Sequence, residues 1–242
     1  MNKERFLEIK QGFSDTDAQG VLSWALQNFD NRRLAFASSL GAEDQVITHM
    51  LKQLNAAISI FTIDTGHLYP ETRELIKRTQ QRYGFEFDVL KPDEISVQEM
   101  IARHGEQLFY KNLELRKLCC SVRKLAPLQK KMAGLDAWIC GLRREQSVTR
   151  TAVEKVEWDE TFQAVKINPL ADWTERQAWD FIRRENVPYH KLHDQGYPSI
   201  GCAPCTRATA PGEDVRAGRW WWEHSQNREC GLHKRGTGTK EK

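Results

Sequence analysis

Leu34-Ala-Phe-Ala-Ser-Ser-Leu-Gly-Ala-Glu-Asp44 is the stretch on which the fold turns. An apolar run breaks into hydroxyls and a glycine, and a helically spaced segment, Glu43 to Leu54, follows at once. This is the pattern of a buried strand, Leu34 to Ser39, that feeds a helix through a tight turn. The pattern then repeats. Ile58 to Ile63 reads as a second strand that ends in Asp64-Thr65-Gly66, with helical spacing from Glu71 to Tyr83. Phe85 to Leu90 reads as a third strand, Ser96 to His104 as a helix and Ala137 to Gly141 as a fourth strand. Alternation of this kind predicts an α/β fold with a doubly wound, mainly parallel sheet, and such sheets bind ligands at the carboxyl ends of their strands.

After residue 150 the alternation weakens. Val156 to Ile167 suggests a hairpin, and Thr174-Glu-Arg-Gln177 opens a helix with a capping-box pattern that runs to about Glu185. Beyond Pro188 the chain is loop-rich, and Gly236 to Lys242 has the composition of a disordered end. One domain over residues 1–235 is the expectation, with 236–242 disordered.

Composition limits the function classes. With 242 residues, 40% hydrophobic and 29% charged, the chain can bury a full core. No run approaches the roughly 20 apolar residues of a membrane span, and the N-terminal residues lack the apolar segment of a signal peptide. A cytoplasmic location is therefore expected, and in that compartment the six cysteines are ligands or catalysts rather than disulfides. The net charge of +3 is too small to mark a nucleic-acid binder. Residues 201–242 hold eight Lys or Arg against five acids, which accounts for all of it. A solvated tail and a cationic cover for an anionic small molecule both fit that placement.

Five cysteines form a pattern that packing does not explain: the pair Cys119-Cys120, the knuckle Cys202-Ala-Pro-Cys205, and Cys230 alone in a polar, cationic segment. Four suit a metal site and the fifth a nucleophile. Zinc and an iron–sulfur cluster both take thiolates. Adjacent Cα atoms lie only ~3.8 Å apart, which strains two thiolates on one zinc but lets a cubane take them on different irons. Cys140 lies within an apolar strand and reads as core. Ser38, Ser39 and Gly41 place hydroxyls and free N–H groups at a helix start, a phosphate-binding arrangement, and Asp64, Thr65 and Gly66 form a second polar turn on the neighbouring strand.

Ser39-Leu-Gly-Ala-Glu-Asp44 resembles the modified phosphate loop of the adenine-nucleotide α-hydrolase-like enzymes, with Asp44 where related ATP pyrophosphatases close with serine. An extra acid there suits a ligand with fewer anionic groups than ATP. Cys119-Cys-Ser-Val-Arg-Lys-Leu-Ala-Pro-Leu128, Cys202-Ala-Pro-Cys205 and Glu229-Cys-Gly-Leu-His233 together resemble the assimilatory adenylylsulfate reductases of the sulfonucleotide reductase family, over about residues 30–235. The resemblance implies that Cys119, Cys120, Cys202 and Cys205 hold one [4Fe–4S] cluster, that Cys230 attacks the substrate, and that His233 and Lys124 assist. It also places Arg143 and Arg144, in the loop Gly141 to Gln146, and Arg216 and Arg219 around the phosphosulfate of adenosine 5′-phosphosulfate. Thioredoxin or glutaredoxin as a separate reductant is implied, with neither nucleic acid nor membrane as partner and homo-oligomer formation left open. A tRNA sulfurtransferase that uses ATP and an iron–sulfur site, and a zinc-stabilised nucleotide-binding module without catalysis, stand as the alternatives. Trp220-Trp-Trp222 reads as packing. His67, next to the second turn, and His190, His193 and His224 carry no assignment.

Overall fold

A computed structural model describes residues 2–10, 12–147 and 150–224. Six strands form one sheet: β1 Leu34–Ala37, β2 Ser59–Ile63, β3 Asp88–Leu90, β4 Ala137–Ile139, β5 Val156–Asp159 and β6 Ala164–Ile167, in the order β3-β2-β1-β4-β6-β5. Five strands run parallel, and β5 joins the edge antiparallel to β6. This is the doubly wound α/β class that the alternation predicts. The chain moves outward from β1 to β3, then returns to lay β4 on the other side of β1, so the strand order reverses between β1 and β4. At such a switch point the loops diverge and leave a crevice.

Period-two alternation sorts the strand side chains between two cores. Leu34 and Phe36 of β1, Ile60 of β2, Ala137 and Ile139 of β4 and Val165 and Ile167 of β6 share one cluster. The helices that cover it include α2 (Ala18–Asn28), α3 (Ala42–Gln53), α4 (Pro70–Tyr83) and α8 (Glu175–Arg184), through Val21 and Leu22, Val46 and Ile47, Leu75, and Phe181 and Ile182. Ala35, Phe61, Trp138 and Ala164 face the other way, against Leu128 and Met132 of α7 (Ala126–Met132). Helix α1 (Lys3–Ile9) buries Phe6, and α5 (Glu94–His104) starts at an Asp93 cap. Among the described residues no helix is long and apolar enough to cross a membrane.

The helical run after α5 is interrupted. Helix α6 (Leu113–Cys120) passes directly into a π-helical turn, Ser121–Leu125, before α7. Pro127 accounts for the widening: it has no N–H to give to the carbonyl of residue 123, and its ring would strike that carbonyl in a regular turn. Ala126 N–H bonds Ser121 O instead, the i+5 spacing of a π turn.

Candidate active site

The first turn is built on a carboxylate. Leu40 has a φ of 64°, a conformation that costs a non-glycine residue about 1–2 kcal/mol, and its side chain is 1% exposed in the main core. That burial anchors the turn. Gly41 then caps α3 with no side-chain bond of its own. Asp44, one turn into the helix, reaches back: its Oδ2 accepts the Ser39 N–H at 2.7 Å and the Ser39 hydroxyl at 2.6 Å. Burial pushes the Asp44 carboxyl up to about 6, against the Ser39 hydrogen bonds that pull it down. A Cβ on Gly141, at the end of β4, would lie 2.2 Å from Asp44 Oδ1, so that glycine is required by close approach.

A cleft of about 270 Å³ opens over the ends of β1, β2 and β4. Ser38, Ser39, Gly41, Thr65, Lys124, Arg143, Arg216 and Arg219 all line it. The electrostatics differ from one cation to the next. Arg143 is tied to Glu43 at 2.7 Å and donates to Trp173 O, so its charge is largely matched within the protein. Arg219 is 7% exposed, stacks on Trp220 at 4.7 Å and donates to Ile200 O at 3.2 Å, and its Nε is buried with no protein partner. A buried guanidinium N–H without an acceptor costs free energy unless something supplies one.

Three residues expected at the ligand do not line the cleft. Arg144 turns away and donates its Nε to Val153 O at 2.8 Å. Asp64 accepts the Gly66 N–H at 2.9 Å and so closes its own turn, while Gly66, at a φ of 81°, approaches Arg123. These two residues shape the turn rather than the cleft wall. Asp44, part of the expected phosphate turn, lines it as well, and so do Gln146, Trp179 and His193, which are not expected from the sequence. No periodicity marks these three, because they come from a loop, α8 and the segment beyond it.

Beside the cleft, Cys119, Cys120, Cys202 and Cys205 are all buried and line one small pocket with His67, Phe109, Arg116, Arg123, Lys124 and Trp220. The π turn begins directly after the first pair, and the knuckle forms a short 3₁₀ turn, Ala203–Cys205. Burial pushes the Cys119 thiol up to about 11 and the Cys205 thiol up to about 12. Cys202 moves the other way, because Lys124, a hydrogen bond with Thr65 and Arg219 together outweigh its burial; the Thr65 Oγ1 to Cys202 Sγ distance is 3.2 Å. No three His, Cys, Asp or Glu side chains among the described residues converge closely enough to hold a single metal ion. Four buried thiols around one pocket, with three cations among the lining, nonetheless suit an anionic group that takes one thiolate per iron. Lys124 lines both the cleft and the thiol pocket.

Of the remaining conspicuous residues, Cys140 is 2% exposed, with its thiol raised well above its usual value by burial. Trp220 is 1% exposed, while Trp221 is open to solvent. His190 bonds Thr72 Oγ1 at 2.8 Å within the fold. Cys230 and His233 lie outside the described residues.

A nucleotide-sized crevice at the switch point of a parallel sheet, beside a pocket of thiols, defines an α/β enzyme of the adenine-nucleotide α-hydrolase-like type. The chain belongs to the phosphoadenosine phosphosulfate reductase family of oxidoreductases: the family's domain profile matches residues 33–208. It is 50% identical over 215 residues to an adenosine 5′-phosphosulfate reductase of Allochromatium vinosum, covering 89% of this chain and 83% of that one. To the Burkholderia cepacia enzyme of the same name it is 49% identical over 83% of this chain and 80% of the other. The crystal structure of a phosphoadenylyl-sulfate reductase from Candida auris, in complex with phosphate, superposes with a TM-score of 0.72 at 29% identity, covering 86% of this chain and 98% of that chain. Yeast FAD synthetase shares the fold, with a TM-score of 0.56 at 15% identity over 85% of this chain and 72% of that one.

Proposed function

We propose that the protein reduces adenosine 5′-phosphosulfate to sulfite and AMP in sulfate assimilation, through an S-sulfocysteine on Cys230. The observation that carries the reading is the shared lysine: Lys124 borders the cleft on one side and a four-thiol pocket on the other. Relatives at 46–50% identity bear the adenosine 5′-phosphosulfate name, which favours the nucleotide without a 3′-phosphate.

The adenosine lies in the cleft against Ser38 to Asp44 and Ile63 to Thr65, and the phosphosulfate lies among Lys124, Arg216 and Arg219. The Cys230 thiolate attacks the sulfur, the bond from sulfur to the phosphate oxygen breaks, and AMP departs as the anion. The cations neutralise that departing charge, and His233 assists them. An external dithiol of the thioredoxin or glutaredoxin class then attacks the Cys230 sulfur and releases sulfite. A second thiol of that reductant closes its disulfide, so the two electrons that take the sulfonate to sulfite come from the dithiol. Cys119, Cys120, Cys202 and Cys205 would hold a [4Fe–4S] cluster, which when bound supplies a cross-link and a fixed charge beside Lys124. One domain over residues 1–235 in the cytoplasm, without nucleic acid or membrane, completes the proposal.

Asp44 weighs against an ATP-using sulfurtransferase, since its carboxylate already takes both Ser39 donors. The test is anaerobic incubation with adenosine 5′-phosphosulfate and no reductant. Intact mass should rise by one sulfonate, on the peptide that contains Cys230, and Cys230→Ser should give neither adduct nor sulfite while keeping its iron. Normal sulfite production without that adduct would falsify the mechanism.

A further inference from the structure

Arg116 is buried and stands on α6 one turn before Cys120. Its guanidinium forms a fork with Glu223, Nε to Oε1 at 2.9 Å and Nη2 to Oε2 at 2.8 Å, and the two side chains are 1% and 7% exposed. The same group lies over the Trp220 ring at 4.7 Å, and Arg116 lines the thiol pocket together with Cys120. One arginine thus joins the thiol pocket, the tryptophan that lines it and an acid of the last described turn. Neither Arg116 nor Glu223 lines the nucleotide cleft.

A buried ion pair is a poor source of net stability, because desolvation offsets most of the attraction, and its best-attested use is to fix one geometry among several. The geometry fixed here is where the chain leaves the thiol pocket. We infer that Arg116 and Glu223 are positioning residues, a clamp that fastens the C-terminal turn to the thiol pocket and so sets the starting point and direction of the segment that carries Cys230. The inference rests on Cys230 being the nucleophile.

Cys230 lies seven residues beyond Glu223, a tether of at most about 25 Å. With the clamp open, the next anchor back is Trp222, whose ring packs edge-on against Tyr110 at 4.5 Å. One more residue of slack hardly lowers the effective concentration of the thiolate. Loss of direction is the larger effect, since correct orientation dominates reactions between held partners.

Arg116→Lys keeps the charge and loses the fork, Glu223→Gln keeps the shape and loses the charge, and the double change to methionine replaces the pair with apolar packing. On iron-loaded protein, three quantities are measured: AMP affinity by calorimetry, the rate of tryptic cleavage after Arg228, and the single-turnover rate of Cys230 sulfonation per loaded site. Both single variants should bind AMP within about twofold of wild type, be cleaved at least fivefold faster and be sulfonated at least tenfold more slowly. The double methionine variant should regain thermal stability but not the sulfonation rate. If it regains both, or if cleavage and sulfonation are unchanged in the single variants, the pair is only packing and the inference is wrong. Should Arg116→Lys not fold, Glu223→Gln decides alone. If wild-type protein is never sulfonated at Cys230, the functional reading fails instead, and the cleavage rates still decide whether the clamp exists.

Discussion

Asp44 is where a single side chain does most to shape the cleft, and its charge state is exposed to pH. Its folded value of about 6 lies above the ordinary 3.8, so the native protein holds this proton more firmly than the unfolded chain does. The sign follows: native Asp44 is favoured while protonated, and stability is lost as pH rises from about 4 to 6. Across that window the loss is of order 3 kcal/mol. Asp44→Asn should remove it, so urea midpoints of variant and wild type should separate from pH 4 to pH 6 and run parallel above; equal slopes throughout would refute the assignment. At this scale the chain was partly legible. Ser38, Ser39 and Gly41 announce themselves beside a strand end, but the bonds from Ser39 to Asp44 do not, because they depend on the turn that the buried Leu40 imposes. Arg144 shows the opposite limit. Two adjacent arginines read alike, and only the Val153 carbonyl distinguishes the one that turns away.

Between elements, the close approach of β4 to α3 makes a sharp prediction. Gly141→Ala places a methyl where Asp44 already lies, with the Asp44 backbone nitrogen also only 3.2 Å away. Overpacking of this kind costs about 1–3 kcal/mol, and here it distorts the turn against which the adenosine would lie. Lower thermal stability and at least tenfold weaker AMP binding are expected by calorimetry. Gly134→Ala, at a site with nothing within 4 Å of a new Cβ, is the control and should change neither. The capping box of α8, Thr174 with Gln177, is worth about 1 kcal/mol and should be lost in Thr174→Ala, with chemical unfolding as the measure. The parallel strands and α8 were readable from period and caps. The π turn was not, because a proline in a helical pattern signals disruption without saying which way the backbone will yield.

For the molecule as a whole, the thiol pocket is a separate packing unit. Cys119, Cys120, Cys202, Cys205 and Trp220 cluster with Leu108 and Phe109, apart from the two cores on the sheet. Chelation of the cluster proposed for this pocket should therefore act locally. Hydrogen exchange should quicken in residues 108–125 and 202–223 while β1, β2 and β4 keep their protection; uniform loss across the sheet would mean that the units are not separable.

The placement of β4 beside β1 has a kinetic side. Leu34 pairs with Ala137, and Phe36 with Ile139, across about a hundred residues of intervening chain. Loop closure must be met before that pairing returns any contact energy, and parallel pairings of such sequence separation form slowly. On a ribosome that makes roughly 5–20 residues per second, β1, α3 and β2 are complete several seconds before β4 exists. Until then β1 has an unpaired edge, and Asp44 lacks the Gly141 backbone it will pack against. The nascent chain therefore waits, aggregation-prone, with the cleft as one of the last parts of the molecule to be finished.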